Sequence, residues 1–201
     1  MTRSPIRSRL RSRPVFSQLG ADVENYIDSW IQSSDPVELI EILDDSCREL
    51  LRIAFQAVGG TEGTVWLKDS GEEFLVAVYN SGREASNLVG FRQPIGSGII
   101  SLVYAQQQPY CENEIEGSDG HDDTVDKKMH QHTTAMIAVP FYFAFQLRGV
   151  ISCVQLADQS GNDRLAGFDS DHVSQLVKAA SGAEHFINAT LLSAALGLDN
   201  G

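Results

Sequence analysis

Cysteine is scarce in this 201-residue chain, and the three present, Cys47, Cys111 and Cys153, show no Cys-x-x-Cys spacing. That excludes the disulfide framework of a small secreted domain and points to reduced thiols in the cytoplasm. Nowhere is there the run of roughly 20 apolar residues that a membrane-spanning helix needs, nor a basic start leading into an apolar stretch as in a signal peptide. Acids are missing from residues 1–20, which carry five arginines. Bases are scarce everywhere else: the remaining ten Lys and Arg face twenty-seven Asp and Glu, a charge of −17. A body that acidic repels a polyanion and argues against nucleic acid as a partner.

What is present suffices for one core, since 42% of the residues are hydrophobic at a length that one domain with extensions accounts for. Residues 1–20 are read as a basic, disordered tail. The prolines Pro5 and Pro14 and the even spacing of the arginines oppose the single amphipathic face of a transit peptide. Residues 21–33 form an amphipathic docking helix with Val23, Tyr26, Ile27, Trp30 and Ile31 at helical spacing, and residues 34–196 form the main domain with its own terminal helix.

In that domain Asp35-Pro36-Val37-Glu38 has the order of an N-cap, a first-turn proline and a capping-box glutamate. A helix is expected from there to Gly59-Gly60, its stripe running Ile40, Leu43, Cys47, Leu50, Leu51, Ala54 and Val58. Thr64–Leu67 and Phe74–Tyr79 flank Asp69-Ser70-Gly71 as a hairpin, and Leu88–Gln93 is a third, shorter strand before a helix over Ser97–Gln107. From Glu112 to Asp126 seven of fifteen residues are acidic, which predicts a solvated loop, followed by a short helix over Thr124–Gln131. Ala135–Phe145 and Gly149–Leu156 are two near-continuous apolar strands joined tightly around Gln146–Arg148. Asp158–Gly167 is a polar loop, and Asp169 or Ser170 caps a last helix whose stripe runs from Val173 to Ala194. The order implies an α+β fold: a central antiparallel sheet of five to six strands flanked by helices, with the N- and C-terminal helices packing together. The last helix carries more apolar seam than one domain needs, so a homodimer through the terminal helices is expected.

The pieces Gly96-Ser97-Gly98-Ile99-Ile100, Gln108-Pro109-Tyr110 and Thr133 to Pro140, with Phe168 and Asp171 before the last helix, resemble a GAF domain spanning about Pro36 to Leu192. The resemblance implies a GAF/PAS-like sheet, a sensory or regulatory role in signal transduction, and a small ligand held between sheet and helices. It nominates Ile99 and Ile100 as ligand-binding, and Arg92, Tyr110, His132 and Thr134 are further ligand-binding candidates. No cofactor is named. Cyclic nucleotide is disfavoured, because Ala157-Asp158 stands where the nucleotide-binding members carry Asn-Lys and Asp171-His172 replaces their acid pair. Bilin is disfavoured because Cys111 has Tyr110 and Glu112, not histidine, beside it. A thiol-dependent reductase of this fold needs cooperating cysteines, which a lone Cys111 beside the Glu112 carboxylate does not supply.

His121, His130 and His132, near several carboxylates, have the composition of a divalent-metal site but not an ordered ligand spacing such as His-Glu-x-x-His. Trp66, Tyr79, Phe141, Tyr142, Phe143 and Phe145 are read as strand aromatics packing in the core. The expectation is a non-catalytic sensor passing its signal to a partner protein, the alternative a ligand-free dimerising scaffold of the same fold.

Overall fold

The computed structural model describes residues 14–115, 124–129, 131–157 and 166–198. Its elements are α1 (Pro14–Ser33), a 3-10 helix (Glu38–Ile42), α2 (Asp45–Ala57), β1 (Glu62–Lys68), β2 (Phe74–Asn80), α3 (Ala85–Leu88), β3 (Arg92–Pro94), α4 (Gly98–Gln106), β4 (Tyr110–Glu112), α5 (Thr124–Met129), β5 (Thr133–Phe143), β6 (Gln146–Leu156) and α6 (Ser170–Leu196). The strands form one antiparallel sheet in the order β3-β2-β1-β6-β5-β4.

The two long apolar strands are central and paired, as their composition predicts, because helices cover both faces of the sheet. On one face Val65, Ile137, Val139, Phe141, Phe143, Ile151 and Cys153 pack under α1, α2 and α6. On the other, Trp66, Ala138 and Val150 pack under α3 and α4 through Leu88, Ile99, Ile100 and Val103. Phe141 and Phe143 are fully buried, each contributing about 2–3 kcal/mol of apolar burial.

The β5–β6 turn lies earlier than expected. It is formed by Ala144 and Phe145 at φ 46° and 62°, the two left-handed residues that a two-residue hairpin with the strand-matching twist requires. Three interactions hold this non-glycine turn: Ala144 N–H donates to Asn188 Oδ1 at 2.7 Å, and Arg148 donates to the carbonyls of Phe143 and Ala144. Gly149 answers a different need. A Cβ there would lie 1.8 Å from the Trp66 carbonyl oxygen, so glycine permits the close approach of β6 to β1. Phe145 is consequently 73% exposed and not a core aromatic.

The first expected helix is two elements. Asp35 accepts from Val37 N–H at 2.8 Å and opens only the 3-10 helix. Asp44, at ψ 171°, then caps α2 by accepting from Cys47 N–H at 2.7 Å, so a second N-cap signal outweighed continuation of the stripe. Cys47 is buried as expected. The expected third strand is split as well: residues 85–88 are helical, Gly90 turns the chain at φ 87°, and β3 begins at Arg92.

The terminal helices pack together, α1 against α6. Helix α1 begins at Pro14, inside the stretch read as tail; residues 1–13 lie outside the described residues. The Arg148 guanidinium, with a side chain only 9% exposed, pairs with Asp28 and ties α1 to the β5–β6 turn. Helix α6 starts in a full capping box, with Asp169 accepting from the His172 backbone and His172 Nδ1 accepting from Asp169 N–H. The bond from the His172 backbone N–H, with a lesser one from the Asp171 N–H, holds the exposed Asp169 carboxyl below the usual carboxylate range. No helix among the described residues is long and apolar enough to cross a membrane.

Replacing Gly149 by alanine forces β6 off the Trp66 carbonyl. The expected result is a loss of about 3 kcal/mol or more in a urea titration, whereas a midpoint within error of wild type would mean that the strands are not packed so closely.

Candidate functional site

The register of the central strands builds a polar row on the α4 face. Asn80 of β2, Thr64 of β1, Ser152 of β6 and Ala138 of β5 stand opposite one another in sequence across four strands. Asn80 Nδ2 donates to Thr64 Oγ1 at 2.9 Å, and the Trp66 indole N–H donates to Ser152 Oγ at 2.9 Å. Two residues toward the start of β1, Glu62 is 6% exposed and receives long bonds from Asn80 Nδ2 (3.4 Å) and Gln131 Nε2 (3.3 Å).

Above this row is a cavity of about 60 Å3. Its floor is Glu62, Thr64, Trp66, Ser152 and Val154; its walls are Met136, Gln93 and Leu88; its roof is the start of α4 at Gly98–Ile100 with Val125 and Asp126 of α5. The roof is tied down: Asp126 accepts from Thr133 N–H at 2.9 Å and from Thr133 Oγ1 at 2.6 Å. Helix α4 opens without a side-chain cap from Ser97, which leaves its first amide N–H groups available to other acceptors.

Of the six ligand-binding candidates, Ile99 and Ile100 line the cavity. The other candidates stand outside the lining. Arg92 is exposed on β3, ion-paired with Asp69 and stacked over the Phe74 ring. Tyr110 on β4 donates to Glu112 Oε2 at 3.3 Å. His132 is exposed. The Thr134 hydroxyl donates to the Gln155 carbonyl at 3.0 Å, and a register shift between Thr133 and Ala135 turns Thr133 toward the cavity in its place. His121 and His130 lie outside the described residues, and no cluster of His, Cys, Asp and Glu suited to a metal occurs among the described ones.

Sequence reasoning missed Glu62, Thr64, Ser152, Gln131 and Asp126. The available signal was period-two polarity: Glu62 and Thr64 alternate with apolar neighbours, and Ser152 interrupts an otherwise apolar strand.

All three thiols are on the opposite face. Cys111 stands opposite Ile137, which stands opposite Cys153, so both point toward α6 and lie two strands apart, roughly 10 Å and beyond disulfide reach. Burial, with help from Glu62, pushes the Cys153 thiol up to about 12, and burial with Asp44 pushes Cys47 up to about 11. Cys111 is also raised, first by burial, then by Glu112 and Asp169. None carries the lowered pKa of a reactive thiolate.

The sequence pattern of the GAF domain family matches residues 43–184. The chain belongs to the GAF domain family. No curated protein matches it. Among solved structures, this GAF chain is similar to the free methionine-R-sulfoxide reductase of Neisseria meningitidis solved with its substrate, at 18% identity over 90% of this chain and 95% of that one, TM-score 0.56. It is also similar to the GAF domain of a phosphoenolpyruvate-protein phosphotransferase from Coxiella burnetii, at 15% identity, coverage of 89% and 96%, TM-score 0.58. A third is residues 122 to 287 of a methyl-accepting chemotaxis protein, at 16% identity, coverage of 87% and 99%, TM-score 0.58. At these identities the likeness is one of fold.

Removing the Asp126 carboxylate should loosen the roof. In a Trp30→Phe background, which leaves Trp66 as the sole indole, Asp126→Ala is expected to raise acrylamide quenching of Trp66 and to speed amide exchange at Thr133 by about tenfold or more, the loss of roughly 1–2 kcal/mol of hydrogen bonding. Unchanged quenching and exchange would mean that α5 is held by other contacts.

Proposed function

We propose that this GAF domain is a non-catalytic regulatory module of the cytoplasm that binds a small ligand in the cavity under α4 and α5 and passes its occupancy to a partner protein. The observation that carries the reading is the sorting of chemistry between the two faces of the sheet. Polar groups converge on the cavity face, while every thiol is buried or half-buried on the other, so the cavity offers recognition without a thiol nucleophile. Ligand would bias the tie between Asp126 and Thr133 by differential affinity for the closed and open positions of α5. Three free cysteines suit a reducing compartment.

The small cavity supports a second reading, a ligand-free scaffold, since ligand pockets commonly enclose about 300–1,000 Å3. The two readings share an output surface. Between α1, α6 and the β5–β6 turn runs an apolar groove of about 450 Å3 bounded by Leu19, Val23, Leu192 and Leu196, with Phe145 projecting beside it. An exposed Phe145 at the edge of an apolar groove supports a second copy of this chain as the occupant, related by a two-fold axis.

Two measurements test these statements. Native mass spectrometry and equilibrium dialysis against nucleotides, amino acids and amines should retain a ligand, and Cys111→Ser should leave that binding unchanged; a methionine sulfoxide reductase activity abolished by Cys111→Ser would overturn the non-catalytic reading, and an empty panel would leave the scaffold. Phe145→Gly relieves a left-handed non-glycine residue worth about 1 kcal/mol, so it should hold or raise the thermal midpoint while converting a dimer to a monomer in light scattering. A wild-type monomer at high concentration would defeat the interface.

A further inference from the structure

The proposal that this cavity binds a ligand can be sharpened to a ligand class, and the sharpening rests on that reading. Glu62 is the decisive residue. Its side chain is more than nine-tenths buried and lines the cavity. The donors that reach it are the neutral amides of Asn80 and Gln131, both on Oε1 and both at the long limit, 3.4 and 3.3 Å. Among the described residues no lysine, arginine or histidine pairs with it. A carboxylate removed from water requires a cation or a full set of short donors, and this one has neither. Its other oxygen is packed against Gly82, where a Cβ would lie 1.8 Å away, so the backbone there closes off solvent on that side.

The rest of the lining has the same sign. Asp126 is the other charged residue around the cavity, engaged by Thr133, and no basic side chain is among the lining residues described. The open start of α4 offsets this by roughly half a positive charge, which leaves the cavity acidic. A divalent metal is a poor occupant, since the described residues provide no group of three ligating side chains there. Size points the same way: an apolar cavity of about 150 Å3 admits benzene, so about 60 Å3 takes a head group of a few heavy atoms. We propose that the cavity receives the primary ammonium group of a small amine, with Glu62 as its counter-charge and Ser152 Oγ and Thr64 Oγ1 as neutral acceptors.

Three probes of nearly equal size test this: ethylammonium, ethanol and acetate, titrated at constant ionic strength into the full chain while the Trp66 indole N–H resonance is followed by NMR. Ligands of three or four heavy atoms bind in the millimolar range at best. The expected result is a saturable shift with ethylammonium and none with ethanol or acetate, weakened at least about tenfold in Glu62→Gln and retained in Glu62→Asp. The comparison of probes on the wild-type protein stands even if a variant fails to fold. A saturable shift with ethanol or acetate in place of ethylammonium overturns the ligand class and leaves a ligand-binding cavity intact. Absence of any shift with ethylammonium, the cavity holding water only, overturns the proposal as well; the sensory reading falls only if the wider dialysis panel is empty too.

Discussion

Antiparallel pairing of β1 on β6 and of β6 on β5 assigns every side chain of three central strands to one of two faces, and helices bury both. A slip of one residue would exchange the faces. It would carry Glu62, Thr64 and Ser152 under α2 and α6, where the surroundings are Phe55, Phe141 and Ile187, and would drive the phenylalanines against α4. Burying a carboxylate among those side chains costs several kcal/mol without a partner, so the polar row helps to specify the register that creates the cavity. Gly149 enforces the same alignment sterically, because only there can β6 pass the Trp66 carbonyl.

The two faces then take on different work. The α6 face is dry and continuous, and α1 joins it through Ile27 and Ile31 in the core and through Asp28, which pairs with Arg148 and accepts from Gln146 at the β5–β6 turn. The α4 face is interrupted by hydrogen-bonding groups and roofed by short elements: four residues of α3, nine of α4 and six of α5. Short helices contribute little stability of their own, so the roof over the cavity is the part whose position a ligand can shift at least cost. Stability resides on one side of the sheet and adaptability on the other.

Much of the architecture was legible in the residues. Ala135–Leu156 read as a central strand pair because burial on both faces removes the need for polar alternation, and α6 read as a long helix because its stripe and its Asp169 cap agree. Family resemblance nominated Ile99 and Ile100, and both line the cavity. The misplacements share a cause: local signals were real but served another purpose. Gln146–Arg148 signalled the turn, yet the chain turns at Ala144 and Phe145 and Arg148 serves to hold that turn; Asp35 signalled a long helix and leads only into a 3-10 helix, with Asp44 capping α2 nine residues on. Glu62 was invisible for the opposite reason, since an acid at the start of a strand reads as a solvated edge until its neighbours are known.

What the sequence by itself determined is which segments are strands and helices, because hydrophobic periodicity and capping are properties of contiguous residues. It determined, too, that the thiols are few and unpaired along the chain. Only the tertiary structure decided which face each residue joins and what stands opposite it. Asn80, Thr64 and Ser152 are brought into one row by strand pairing across as many as 88 positions, counted between Thr64 and Ser152, and a single bulge selects Thr133 over Thr134 for the cavity. Those choices depend on register and on the volume that each side can hold, quantities that exist only once the sheet is closed between its helices.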